Sequence, residues 1–184
     1  WLPDHIGAVD WFGTDDAATS YLTPIYVCSS KVPACFRHGK GDMLTYSPES
    51  AFWLCNRVAN ACYRMYNIME PVVRAEIDGW ENERLAGQEE IDRKAEGMPR
   101  WRAKRFLTRY SLKSAESIFE RWRRLEELLL VKFIDGNVKA QRPDGSFVTN
   151  GNGSNIPDSI SQPGYTDTWK RVVAREHGSV IEVK

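Results

Sequence analysis

Apolar residues recur at every third or fourth position through the middle of this chain, and this spacing constrains its fold more than any other feature. A repeat near 3.6 residues places such residues along one face of a helix. Pro71 is expected to end or kink the first helix. We therefore predict a helical region over residues 47–135, in which each helix buries one face. The predicted buried stripes are Ala51, Cys55, Val58, Cys62, Met65 and Met69, then Val73, Ile77, Trp80, Ile91 and Ala95, then Ala115, Ile118, Trp122, Leu125 and Leu129.

Residues that favour helix ends divide this region further. Ser47 is suited to cap the first helix, with Pro48 at its first helical position. The segment Gly97-Met98-Pro99 separates the second helix from a short one over residues 101–110. Ser111 is suited to cap a longer helix that follows. The sequence thus predicts at least four helices between residues 47 and 135.

Residues 1–46 have a different character and predict strands and loops. The runs 5–12 and 21–28 are apolar, aromatic and β-branched, and the polar segment 13–16 separates them. Two such runs with an Asp-containing connection predict an antiparallel hairpin. The fold class is therefore α+β, a β-hairpin followed mostly by helices. A two-stranded hairpin is marginal alone, so further strands are expected from outside these residues.

The last third of the chain is predicted to be mostly irregular. The run Leu128-Leu129-Leu130-Val131 is apolar all round and is expected to be deeply buried. Residues 136–165 are rich in Asn, Gly, Ser and Pro and read as a surface loop, with a short strand at Phe147-Val148. Residues 166–184 are predicted to form a last helix and a tail, with Thr166 as the N-cap and Gly178 at the C-terminal cap position. The 184 residues are expected to form a single domain or part of one.

Charge and hydropathy exclude some classes of partner. The chain has 25 basic and 25 acidic residues, so its net charge is zero and we expect neither nucleic acid nor an anionic membrane as partner. No apolar run approaches the length of a membrane span. The compartment is not determined, although a cytoplasmic location is favoured.

Several short motifs occur in order along nearly the whole chain. They are Trp11-Phe12-Gly13-x-Asp15-Asp16-Ala17, Tyr21-x-x-Pro24-x-Tyr26, Val32-Pro33, Ser47-Pro48-x-Ser50-Ala51-Phe52-Trp53, Phe133-x-Asp135-Gly136 and Pro163-Gly164-Tyr165. In their order and spacing these motifs resemble the C-terminal half of the dipeptidase A/secernin family.

The resemblance implies an N-terminal-nucleophile cysteine peptidase with a four-layer αββα fold. Such enzymes hydrolyse short peptides, mainly dipeptides, through an acyl-enzyme on a Cys at the mature N-terminus. Trp1 carries no nucleophilic side chain. The nucleophile is therefore expected on a preceding N-terminal segment or a partner chain, and this chain is not expected to be active alone. The resemblance implies no metal or organic cofactor.

Asp15 and Asp16 are the predicted substrate contacts. Paired carboxylates at a strand end can hold the ammonium group of a short peptide, because a charged terminus in a dry pocket requires an opposite charge. The alternative is that both aspartates cap a turn.

The cysteines and histidines suggest other chemistry. Cys28 and His38 could form a thiolate–imidazolium dyad in a self-sufficient enzyme. Cys28, Cys35 and His38, with His5, could bind zinc, although a separation of seven residues between the cysteines exceeds the usual spacing. A disulfide between Cys28 and Cys35 also stays open. Cys55 and Cys62, two helical turns apart, are expected to be buried apolar side chains.

A basic cluster follows the Gly97-Met98-Pro99 break. It contains Arg100, Arg102, Lys104, Arg105 and Arg109, interleaved with Trp101 and Phe106. Acidic residues follow it, so a salt-bridged helical surface is the prediction. The tryptophans at positions 80, 101, 122 and 169 fall at or near core positions of helices and are expected to be packed.

The sequence therefore predicts the C-terminal portion or a subunit of a cysteine dipeptidase-like amidohydrolase, assembled as a homo-oligomer when complete. The alternative is a non-catalytic scaffold or interaction subunit of the same fold. The two differ in whether a second polypeptide with an N-terminal Cys accompanies this one.

Overall fold

A computed structural model describes residues 2–176, so Trp1, Gly178 and the rest of the tail predicted after the last helix lie outside the described residues. These residues form an α+β structure, a two-stranded hairpin followed mostly by helices, as predicted. They divide into two compact units, one ending at Leu129 and the other beginning at Leu130. The elements are β1 (Val9–Phe12), β2 (Thr23–Tyr26), α1 (Ala51–Tyr63), α2 (Tyr66–Glu96), α3 (Arg100–Phe133) and α4 (Asp167–Glu176).

Strands β1 and β2 form the predicted antiparallel hairpin. Val9 lies opposite Tyr26 and Trp11 lies opposite Pro24, so these pairs share one face of the ribbon. Asp10 lies opposite Ile25 on the other face. Tyr26 is fully buried whereas Asp10 is exposed, so the first face points into the protein.

The hairpin packs on the end where α2 and α3 meet. Tyr26 is buried in one cluster with Ala95 of α2 and with Ala103 and Leu107 of α3. Small residues at positions 95 and 103 give the hairpin room to approach the helices, because an alanine side chain extends no further than Cβ. The β-structure is therefore held by helices rather than by further strands of the described residues.

Helix α1 begins later than Ser47 predicts. It starts at Ala51, and Ser50 is its N-cap residue with extended backbone angles. Ser47 instead closes the preceding turn, where its Oγ accepts the backbone N–H of Glu49 at 3.3 Å and its carbonyl accepts that of Ser50 at 3.3 Å. The hydroxyl is used locally before the helix begins, which is the usual competition at such positions.

The break between the first two helices lies at Met65, not at Pro71. Met65 has φ −145° and ψ 53°, outside the helical region, and α2 starts at the next residue. Pro71 lies in the second turn of α2. There it removes one hydrogen bond, to the carbonyl of Asn67, and a helix 31 residues long tolerates that loss.

The predicted division at Ser111 is wrong, since α3 runs unbroken from Arg100 to Phe133. The Ser111 hydroxyl donates to the carbonyl of Leu107 at 2.9 Å, four residues earlier in the same helix. A serine can occupy a helix interior when its hydroxyl donates a hydrogen bond to a carbonyl of the preceding turn. The break at residues 97–99 is confirmed by the end of α2 and the start of α3.

The predicted stripes are buried with few exceptions. Only Met65 and Ile91 among them are half-buried rather than buried. The tryptophans divide: Trp80 and Trp122 are in the core, but Trp101 is 69% and Trp169 46% exposed. Helical spacing shows which face of a helix is apolar. How deeply each side chain on that face is buried depends on which other elements pack against it.

The second unit contains little regular structure. Isolated bridges join Val138 to Ser161, Gln141 to Phe147 and Thr149 to Pro157, so the predicted strand at Phe147-Val148 is reduced to a bridge. Leu130 and Val131 are about half exposed, contrary to the predicted deep burial. Helix α4 begins as predicted, with the Thr166 Oγ accepting the Trp169 N–H at 3.2 Å. No helix within residues 2–176 has the length and apolarity needed to cross a bilayer.

Candidate functional site

The predicted substrate contacts lie in the turn that leaves β1. Asp15 is exposed and has a left-handed backbone, with φ 70°, a conformation that aspartate tolerates better than most residues. One of its carboxylate oxygens, Oδ1, accepts a hydrogen bond from the Asn56 side chain of α1 at 3.1 Å. The other oxygen faces no protein donor within residues 2–176. Asp15 is thus oriented by α1 and keeps an acceptor for a ligand.

Asp16 is more fully engaged in the turn itself. Its Oδ2 accepts the Thr19 hydroxyl at 2.7 Å and its Oδ1 accepts the Ala18 N–H at 3.4 Å. The Thr19 hydrogen bond is the main cause that lowers the pKa of Asp16, and the Tyr63 hydroxyl adds to it. Asp16 therefore stays ionised to a lower pH than an ordinary aspartate, and it performs the turn-capping role. Of the two aspartates, Asp15 has the greater freedom to contact a substrate.

None of the cysteines has the environment of an activated nucleophile. All four thiols are free, so the alternative of a Cys28–Cys35 disulfide is wrong. Burial raises the pKa of Cys35 and of Cys62 to about 11 and that of Cys55 to about 12. Burial also raises the pKa of Cys28. Because the thiolate is the reactive form, these thiols are less reactive than an ordinary cysteine.

The dyad and zinc alternatives lack the geometry they require. No hydrogen bond joins Cys28 to His38 in the described part of the chain, and Cys28 packs against the cluster around Tyr26. Groups of three or more His, Cys, Asp and Glu side chains that could hold a metal do not occur among residues 2–176. His5, Cys28, Cys35 and His38 therefore do not assemble into the zinc site considered from the sequence.

A groove that the sequence did not predict lies on the outer face of the hairpin. We call it the hairpin groove. It has a volume of about 390 Å³, and its lining includes Asp10, Phe12, Ile25, Lys31, Val32 and Phe36. Its wall contains an edge-to-face pair, Phe12 and Phe36, whose ring centroids are 4.9 Å apart.

Two opposite charges lie along this apolar groove. The carboxylate of Asp10 and the ammonium of Lys31 are both on exposed residues, and Ser29 and Ser30 of the loop that carries Lys31 also line the groove. Asp15 and Asp16 are not part of this lining. One signal in the sequence pointed to the groove, namely the single carboxylate within the apolar run 5–12. Lys31 gave no signal, because its position depends on the path of the loop.

Comparison with known proteins finds a family match in the first part of the chain. Residues 1–78 match the model of Peptidase family C69, the family of the dipeptidase A and secernin cysteine peptidases. The resemblance noted from the motifs is therefore confirmed over this range, which contains the hairpin, both aspartates, the hairpin groove and α1. No curated protein sequence matches the chain.

The match to family C69 supports a cysteine peptidase, and hence a hydrolase. The matched range ends within α2, so α3 and the second unit lie outside it.

Proposed function

We propose that this chain is part of a cysteine dipeptidase-like amidohydrolase whose nucleophilic Cys comes from a preceding N-terminal segment or from a partner chain. One observation supports the proposal most directly. The C69 match covers the hairpin region, yet burial raises the pKa of every cysteine in the chain. A C69 peptidase needs a thiolate, and none of these four thiols suits that role.

The proposed reaction follows the usual course of amide hydrolysis by a thiol. The external thiolate attacks the carbonyl carbon of the scissile amide and forms a C–S bond. The C–N bond then breaks, and the departing amine takes a proton from the group that served as base. Water adds to the resulting thioester and releases the acid and the thiolate. The nucleophile's own α-amino group can serve as the base.

The chain would supply contacts to the ends of the peptide. Asp15, with an unused acceptor and support from Asn56, is suited to bind the ammonium terminus. Asp16 would keep the turn in shape through Thr19. The hairpin groove offers a second position, because a dipeptide carries both charges and the groove has a carboxylate at Asp10 and an ammonium at Lys31.

The hairpin also has a place for the missing segment. The described residues contain one two-stranded sheet, so each strand has an edge without a backbone partner in them. Unpaired strand edges accept further strands. In the proposed αββα fold, the segment that carries the nucleophilic Cys forms a strand along one of these edges.

Covalent trapping in the complete enzyme tests the source of the nucleophile. A dipeptidyl chloromethyl ketone alkylates the attacking sulfur, and peptide mass mapping locates the label. The proposal expects the label on a Cys outside the four of this chain, and turnover that persists in Cys28→Ser. A label on Cys28 together with lost turnover would establish the self-sufficient thiol enzyme instead. Absence of both labelling and turnover in the complete assembly would favour the non-catalytic scaffold.

A matched pair of variants tests the substrate contact. Asp15→Asn keeps the hydrogen bond from Asn56 possible but removes the charge, so KM for dipeptides should rise about tenfold or more while kcat changes less. Asp4→Asn removes an exposed carboxylate near the start of the chain and serves as the control. Equal kinetic effects of the two variants would exclude the proposed role of Asp15.

A further inference from the structure

The first half of α3 carries a strong excess of positive charge. Between Gly97 and Ala115 the chain has six basic residues and no acidic one. They are Arg100, Arg102, Lys104, Arg105, Arg109 and Lys113. Since the whole chain is electrically neutral, this segment is a local concentration of charge.

The predicted salt-bridged surface does not form here. Within residues 2–176, the basic residues of α3 that form salt bridges are later ones: Arg121 pairs with Glu76 and Glu83, and Arg123 pairs with Glu120. None of the six earlier cations takes part in a salt bridge in this part of the chain. Their charges are therefore available to an external anion.

Three of these cations line one groove, which we call the basic groove. It has a volume of about 370 Å³ and is lined by Lys31, Trp101, Lys104, Arg105, Arg109 and Leu112, together with Ser30 and Thr108. Lys31 comes from the loop after β2 and adds a fourth cation. The base of the groove is held in place, since the Thr108 hydroxyl accepts the Ser30 N–H at 3.0 Å and donates to the Lys104 carbonyl at 2.7 Å.

The side chains that face the groove form a regular row. Trp101, Arg105 and Arg109 are each four residues apart on α3, so the helix advances about 6 Å from one to the next. Alternate side chains of an extended peptide on one side are about 6.6 Å apart. Arginine also binds a carboxylate through two parallel N–H donors, which suits a planar acidic side chain.

We propose that the basic groove binds an extended acidic segment of a partner protein. Alternate carboxylates would pair with Arg105 and Arg109, and a further side chain would cover the exposed indole of Trp101. The zero net charge favours such a local contact over a polynucleotide, which gains affinity from many phosphate contacts. The proposal does not rest on the peptidase function, because α3 lies outside the matched residues.

Fluorescence anisotropy with the full chain tests this proposal. The probe is a fluorescein-labelled eight-residue peptide with Glu at alternate positions, and the same peptide with Gln at those positions is the reference. We expect saturable binding of the Glu peptide only, weakened when salt is raised from about 50 mM to about 500 mM. The double variant Arg105→Gln/Arg109→Gln should weaken binding at least about tenfold.

The matched control is Arg93→Gln/Arg124→Gln, which removes the same charge from exposed arginines outside the groove and should change affinity less than about twofold. Circular dichroism melts of both variants check that they fold. Equal losses in both variants, equal binding of the Gln peptide, or no binding up to about 1 mM peptide (a free energy of about −4 kcal/mol) would overturn the proposal. Tighter binding of a single-stranded oligonucleotide of equal charge would overturn it in favour of nucleic acid.

Discussion

The hydroxyl oxygen of Ser111 in α3 accepts a hydrogen bond from the backbone N–H of Tyr26 in β2, at 3.0 Å. The two residues are 85 positions apart in sequence, and both are fully buried. The same hydroxyl donates its proton to the Leu107 carbonyl within α3. A single side chain thus satisfies a buried donor of the hairpin and fixes the hairpin against the helix.

Replacement of Ser111 by Ala should destabilise the protein by about 1–3 kcal/mol, because the Tyr26 N–H would be left buried without a partner. Urea unfolding followed by circular dichroism measures the change. Ser117→Ala is the control, since Ser117 is exposed on the same helix and gains the same helix propensity. If both variants change the free energy of unfolding by less than about 0.5 kcal/mol, the hydrogen bond contributes nothing of note.

Two tryptophans on helices should respond differently to replacement by Phe. Trp80 is 1% exposed, and its Nε1–H donates to the Leu22 carbonyl at 2.8 Å. Trp80→Phe removes that donor and leaves a small cavity, so we expect a loss of about 1–3 kcal/mol. Trp101→Phe should stay within about 0.5 kcal/mol, since Trp101 is 69% exposed. Thermal or urea unfolding compares the two, and a larger effect at Trp101 would contradict the structure.

The stability of the fold should fall as pH rises above about 9. Burial raises the pKa of Cys55 from 9.0 to about 12, so the unfolded thiol releases its proton well before the folded one. Stability from this group is full below pH 9 and is lost as pH rises towards the folded pKa. The slope reaches at most about 1.4 kcal/mol per pH unit for each such group.

Urea unfolding of the wild type and of Cys55→Ala at several pH values from about 8 to about 10.5 isolates this contribution. The variant lacks the thiol, so the difference between the two slopes of unfolding free energy against pH is due to Cys55. The variant should show a shallower decline than the wild type, whatever its stability at pH 8. Parallel declines would mean that Cys55 ionises equally easily in the folded and unfolded states.

The pairing of Arg57 in α1 with Glu126 in α3 should contribute measurably to stability. Arg57 donates from Nη2 to Glu126 Oε2 at 2.6 Å and also from Nε to Oε1, so the contact is bidentate. The side chains are 33% and 27% exposed. A double-mutant cycle with alanine should give a coupling energy of about 0.5–1 kcal/mol that decreases with added salt.

The control cycle uses Lys94 and Glu90, an i,i+4 pair on α2 whose side chains are 53% and 59% exposed. Its coupling should not exceed about 0.5 kcal/mol. Equal coupling in both cycles would show that the bridge between α1 and α3 is no stronger than an ordinary surface pair.

Predictions about local structure succeeded where the local pattern was strong. The repeat of apolar residues located the buried faces of α1, α2 and α3, because a helical period is a property of neighbouring residues. The Asp-containing turn between the strands was recognised for the same reason, and the structure shows Asp16 capping it through Thr19. Ser47 and Ser111 were misread because a serine before an apolar run has the same local appearance whether it caps a helix, closes a turn or lies within a helix.

The candidate site was only partly accessible from sequence. Asp15 was identified by its position after a strand, but the support from Asn56 requires α1 to approach the turn. The hairpin groove joins Asp10 of β1 to Lys31 of a later loop, and the basic groove joins Lys31 to α3. Such combinations depend on the packing of elements far apart in the chain.

Amino-acid order alone specified the α+β class, the apolar helix faces and the break at residues 97–99, since each depends on residues close together. It also specified the resemblance to C69, which depends on the order of short local motifs. Packing specified which helix positions are covered, as the contrast between Trp80 and Trp101 shows. It also determined that burial raises the pKa of all four thiols and that the cations of early α3 remain without salt bridges within residues 2–176. Solvent exposure and charge pairing are properties of the three-dimensional surroundings, and no local pattern encodes them.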